Sequence, residues 1–178
     1  MPEIEIRPVE VEDFSALGNF EGSYQTTRVW QMERSLRDGE LVTKFREMRL
    51  PRPALIAYPY SGETLISRAK GFDGILVGRV EDRIVGYVAF RKIQPSSTAW
   101  VSEMVVDEPM RNKSVATALL LAVQDWSVRL GLRRVCLEMQ SKNYPGICLA
   151  GKLGYEFSGY LDQYYPNQDI ALIFGTKA

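Results

Sequence analysis

The chain has 178 residues, enough for one domain with a substantial core, and its 46% hydrophobic content is that of an ordinary globular protein. Its 22 basic and 22 acidic residues cancel, which excludes any global attraction to nucleic acid or to an anionic membrane surface. Histidine is absent, which removes the commonest general base, the commonest zinc ligand and every Ser-His or Cys-His mechanism, and two widely spaced cysteines make no thiolate metal site.

In chain order, Ile4 to Arg7 reads as a first strand and Val11 to Phe20 as a short helix with Glu12 and Asp13 in its first turn. The opening residues mix charged and apolar side chains and contain no signal-peptide core, and no apolar run is long enough to span a membrane, so a cytoplasmic protein is expected. Gln25 to Arg34 and Glu40 to Leu50 flank an Asp38-Gly39 turn and predict a long hairpin, with Pro51 and Pro53 ending it. Ala54 to Leu65 reads as strand followed by loop. Gly74 to Val80 and Ile84 to Ile93, joined through Glu81-Asp82-Arg83, predict a second antiparallel hairpin, and Ala99 to Val106 a further strand.

Val115, Leu119, Ala122, Val123, Trp126 and Leu130 fall on one helical stripe closed by Gly131. Arg133 to Met139 reads as a buried strand. Asn143 is placed to cap a helix from Pro145 to Leu153, closed by Gly154, and Tyr155 to Tyr160 and Ile170 to Phe174 are the last strands. Alternating strands and helices behind antiparallel hairpins predict a mixed α/β (α+β) sheet in one domain, 1–178. Cys136 and Cys148 both lie in apolar stretches and are expected as buried, reduced thiols, the alternative being a disulfide between them.

The turn Arg111 to Ser114 runs straight into a helix, where unpaired N–H groups and a partial positive charge suit a diphosphate. Asn112 to Thr117 would supply those groups, Arg111 and Lys113 rim charges, and Ser114 and Thr117 hydroxyls. No glycine is present, so close approach requires the loop to keep ordinary backbone angles. The alternative is a plain surface loop capping a plain helix.

Two segments resemble the paired motifs of the GNAT (Gcn5-related) N-acetyltransferases, nearest to streptothricin-type members through the run Leu137 to Asn143. The first family motif, Arg/Gln-x-x-Gly-x-Gly/Ala, is matched by Arg111-Asn112-Lys113-Ser114-Val115-Ala116, with Ser114 in place of glycine. The second, Asn-x-x-Ala followed by Lys-x-Gly-Phe, is matched by Asn143 to Gly146 and Lys152 to Tyr155. The resemblance implies a GNAT fold: a mostly antiparallel sheet with a splayed parallel strand pair and flanking helices. Residues 74–178 would be the acetyl-CoA-binding core and residues 1–73 the acceptor side. It implies acetyl-CoA as co-substrate, with the pantetheine arm along Met104, Val105 and Val106 and the pyrophosphate on Arg111, Asn112, Lys113, Ser114, Val115, Ala116 and Thr117. Asn143, Gly146 and Ala150 would complete the cofactor side.

By the same resemblance Glu103 is the expected base for the attacking amine, the alternative being a salt-bridged strand carboxylate; Glu138 is in reserve. No metal is implied. Ala150 occupies the position where the family usually carries a proton-donating tyrosine; Tyr144, Tyr155, Tyr160 and Cys148 are the candidate substitutes. Trp30, Tyr58, Tyr60 and Trp100 could wall an acceptor pocket. The basic excess between Arg28 and Arg52 is either a solvated strand face or a reader of an anionic acceptor, and Asp162 could hold an ammonium group. The expected activity is acetyl transfer to a small-molecule amine, with no nucleic-acid or membrane partner and a homodimer open to it. The rivals are a CoA-binding module without transfer, supported by Ser114 and Ala150, and a protein N-acetyltransferase.

Overall fold

The computed structural model describes residues 3–178. Its main sheet has seven strands in the order β1 (Glu5–Pro8), β4 (Gly74–Val80), β5 (Arg83–Ile93), β6 (Thr98–Val106), β7 (Arg134–Gln140), β9 (Ala171–Lys177) and β8 (Glu156–Leu161). Every neighbouring pair is antiparallel except β6 and β7. A separate two-stranded ribbon, β2 (Tyr24–Arg37) with β3 (Glu40–Ile56), forms the long hairpin.

Helices α3 (Val115–Arg129) and α4 (Tyr144–Lys152) cover one face of the sheet, where Val115, Leu119, Leu120 and Val123 join the larger core. Leu130, placed on the same stripe by its spacing, is instead half exposed, because the helix ends at Arg129. The short helices α1 (Phe14–Leu17) and α2 (Leu65–Ala69) cover the other face, burying Leu17 and Leu65 against Val77, Tyr87 and Val105.

Three expectations need correction. The helix over Val11 to Phe20 shrinks to a 3-10 turn, Val11–Asp13, and the single turn of α1, because Asp13 is drawn into a fork with Arg7 at 2.7 and 2.8 Å. The prolines do not end the hairpin. Thr26 opposes Ala54 while Arg28 opposes Arg49, so Leu50 to Pro53 bulge opposite Thr27, where no ladder donor is required. Cys136 is buried but Cys148 is exposed, and both are free.

An aromatic cluster docks the hairpin on the outer strands. Trp30 stacks edge-on against Phe174 at 5.9 Å, and Phe45 meets Phe157 at 5.4 Å and Tyr160 at 5.2 Å. The Trp30 backbone N–H also donates to the Ser141 carbonyl at 2.9 Å, beyond the end of β7. Three of the hairpin's arginines pair with its own carboxylates or with the outer loop: Arg28 with Glu47, Arg46 with Glu33 at 3.0 Å, and Arg34 with Asp162 at 3.6 Å. That is a solvated strand face. Among the described residues no helix is long and apolar enough to cross a membrane.

Candidate active site

Strands β6 and β7 run side by side only from Thr98/Arg134 to Val101/Leu137. Beyond that they splay, and Ser102 to Val106 lose their partner on that side. Ser102 is also an extra residue in the ladder: Phe90 opposes Val101 while Ala89 opposes Glu103. A one-residue insertion reverses the alternation of side chains. Val101 therefore faces the core under α3, while Val105 faces the opposite core, and Glu103 shares the face of its partner Ala89.

On the α3 side the splay opens into a groove of about 550 Å3. Its lining brings together most of the residues expected on the cofactor side: Met104, Val105 and Val106 from β6; Arg111, Asn112 and Ser114 from the turn; Val115, Ala116 and Thr117 from the first turn of α3; and Asn143 and Gly146 from α4. Lys113 is exposed outside the groove, its Nζ 3.9 Å from the Met110 sulfur, and Ala150 is fully buried in the core. Gly22, Tyr24, Cys148 and Lys152 line the groove without having been foreseen as cofactor contacts.

The turn does not keep ordinary backbone angles. Asn112 has φ 62° and Ser114 φ 66°, both left-handed, so serine adopts the conformation that glycine takes easily. The loop curls as a glycine-containing one would, and the residues of the first turn of α3, whose N–H groups have no intrahelical acceptor, line the groove. These residues fit a diphosphate. Arg111 is present at the rim but committed: Nε donates to the Val106 carbonyl at 3.1 Å, Nη1 to Ser23 at 2.8 Å and Nη2 to Glu21 at 2.6 Å. It straps segment 21–23 to the groove.

A narrow cavity of about 50 Å3 leads through the splay. It shares Tyr58, Met104, Asn143, Gly146 and Leu149 with the groove, and Ser102 and Glu138 with a second cavity of about 510 Å3 on the opposite face. Tyr60, Trp100 and Tyr164 wall that second cavity, with Arg91 and Arg134 also in its lining. Trp30, Tyr58 and Asp162, considered for the pocket from their sequence positions, are outside it, as are all the arginines and lysines from Arg28 to Arg52.

Glu103 and Glu138 both face this cavity. Glu103 is 2% exposed and held in a forked pair by Arg68, Nε to Oε1 at 2.9 Å and Nη2 to Oε2 at 2.8 Å. Its charge is matched and both its oxygens are engaged. Arg68 lies on α2, a helix too short to leave a periodic signal, and sequence reasoning missed it. Glu138 has no such cation. Its Oε2 accepts from Trp100 Nε1 at 2.8 Å and from the Tyr164 hydroxyl at 3.1 Å, while Oε1 is buried without a partner among the described residues. Burial pushes its carboxyl above the usual carboxylate range, against the opposing pull of those hydrogen bonds.

A groove at a helix N-terminus, joined through a strand splay to a pocket with an open carboxylate, is the layout of an acyl transferase that keeps donor and acceptor on opposite faces. The sequence model of the Acetyltransferase (GNAT) family matches residues 34–155, and the protein belongs to that family. It is similar in structure to nourseothricin acetyltransferase, with a TM-score of 0.82 at 18% identity over 98% of both chains. A protein of Bacillus anthracis str. Ames assigned as a streptothricin acetyltransferase, solved in complex with acetyl coenzyme A, superposes with a TM-score of 0.77 at 16% identity, covering 99% of this chain and 100% of its own. The ribosomal-protein-S18-alanine N-acetyltransferase of Escherichia coli gives 0.69 at 17% identity over 98% and 94%. At these identities the likeness is one of fold. No curated protein sequence matches the chain.

Proposed function

We propose that the protein transfers the acetyl group of acetyl-CoA to the amine of a small molecule held in the 510 Å3 cavity, with Glu138 receiving the amine's proton. The observation that carries this reading is the continuity of groove, channel and cavity, with a single carboxylate, Glu138, shared by channel and cavity and left with an unpartnered oxygen. The diphosphate rests on the first turn of α3, and the arm runs along the unpaired edge of β6 toward the channel. The acceptor amine enters from the other face. Glu138 Oε1 accepts a proton from the nitrogen as it attacks, and raised basicity suits that task near neutral pH.

Arg91 and Arg134 have no carboxylate in ion-pair distance among the described residues, so the cavity favours an amine that also carries an anion over a polycation. Calorimetry with acetyl-CoA, run beside thiol release across neutral, anionic and polycationic amines, tests this. Saturable binding and thiol release with an anion-bearing amine are expected. Binding without release from any amine would leave a CoA-binding module, and release only with peptide N-termini would move the acceptor to protein.

A further inference from the structure

Collapse of the tetrahedral adduct expels coenzyme A as a thiolate, and the residue at the family's usual donor position, Ala150, carries no proton. None of the four candidate substitutes faces the channel. The Tyr155 hydroxyl accepts from Gln124 at 3.2 Å beneath α3, and that of Tyr160 is paired with Thr43 at 2.9 Å under the hairpin. Tyr144 lines none of the three cavities, and Cys148 lines only the groove.

Tyr58 does reach the channel, and also the groove. Its hydroxyl oxygen accepts the Met104 N–H at 3.1 Å. That amide lies past the last residue of β6 paired with β7, so the hydroxyl sits where the strand edge left open by β7 meets the channel. The oxygen is used as an acceptor; its hydrogen has no protein acceptor among the described residues. The ring is held firmly. A Cβ on Gly22 would stand 2.7 Å from it, so it packs directly on the backbone that Arg111 straps down through Glu21 and Ser23. Tyr60 meets it edge-on at 5.9 Å.

We propose that Tyr58 is the residue that protonates the departing thiolate. This rests on the transferase reading above. The amine nitrogen forms its bond to the acyl carbon and loses a proton to Glu138. The carbon–sulfur bond breaks with its electron pair left on sulfur. Tyr58 gives its hydroxyl proton to that sulfur and is reprotonated from solvent, while Glu138 releases its proton, so the cycle closes with amide and free thiol. Burial pushes the Tyr58 hydroxyl well above its ordinary value, which keeps the proton in place at neutral pH until a base forms beside it.

Tyr58→Phe keeps the ring and removes the proton. The dissociation constant for CoA should stay within about twofold by calorimetry, while kcat falls by about 100-fold. A second readout needs no turnover. A hydroxyl donating to sulfur stabilises the thiolate, so the thiol of enzyme-bound CoA, titrated by thiolate ultraviolet absorbance, should ionise about half a pH unit or more higher in Tyr58→Phe than in the wild type. Unchanged thiol ionisation together with unchanged kcat overturns the assignment. So does a loss of kcat accompanied by an equal loss of CoA affinity, which would make Tyr58 a packing residue. If the wild type itself releases no thiol, the transferase reading falls first, and an unshifted thiol titration then removes Tyr58 independently.

Discussion

Glu103 and Glu138 lie on adjacent strands and face the same cavity, yet differ in what surrounds them. Replacing Glu138 by Gln keeps an acceptor for Trp100 and Tyr164 but removes the basic oxygen, so kcat should fall by about 100-fold or more while CoA affinity holds. Because burial raises this carboxyl above its ordinary value of 4.5, the base gains its proton at a pH where exposed carboxylates are still ionised. The wild-type kcat/KM should therefore drop about tenfold per pH unit on the acid side of that raised pKa, and the limb should vanish in Glu138→Gln. Glu103→Gln should act on stability instead: it leaves Arg68 half paired in a part-buried site, a loss of about 1–3 kcal/mol read as a lower Tm. At Ser114 the left-handed backbone predicts the opposite sign. Ser114→Gly relieves about 1 kcal/mol of strain and should raise Tm by about 2–4 °C without lowering CoA affinity. What the sequence left open at Glu103 and hid at Ser114 has a plain source. Strand alternation places carboxylates on a face but does not name the cation beside one of them, and the identity of Ser114 does not reveal the φ that its neighbours impose.

At the scale of elements, long periodic segments were legible: α3, the Asn143-capped α4 and the β4–β5 hairpin all fall where spacing and stop signals put them. What escaped was set by tertiary contact. The β3 ribbon runs on past Pro51 and Pro53 because a bulge relieves both of hydrogen bonding, and α2 forms from five residues because Leu65 is buried in the smaller core. Arg111 shows the same effect at the cofactor turn. Read from sequence it is a charge for phosphate; in the fold it ties the segment before β2 to the end of β6. Arg111→Ala should weaken acetyl-CoA binding about tenfold and speed amide exchange in residues 21–25, since three carbonyl contacts are lost at once. Arg111→Lys separates the two roles. A single ammonium cannot span three diverging carbonyls, so it should restore little affinity, whereas full restoration would return the residue to simple charge pairing with phosphate.

At the scale of the whole molecule, two solvent-facing compartments lie on opposite faces of one sheet and meet where β6 and β7 part. On the function proposed above, donor and acceptor bind independently, and only the acyl group and the attacking nitrogen need share the channel. The bulge residue Ser102 lies at that passage: it lines the channel and the cavity of about 510 Å3 but not the groove. A larger apolar side chain there should close the connection while leaving the diphosphate site on α3 intact. Ser102→Leu is expected to bind acetyl-CoA within about twofold of the wild type by calorimetry and to lose thiol release by about 100-fold or more, because misplacing the reacting atoms forfeits the proximity gained by holding them together. Retained turnover would mean that the acyl group meets the amine by another route, which would sever the link between the strand splay and catalysis. Lost turnover with intact donor binding ties the parallel strand pair, the one break in an otherwise antiparallel sheet, to the chemistry it makes room for.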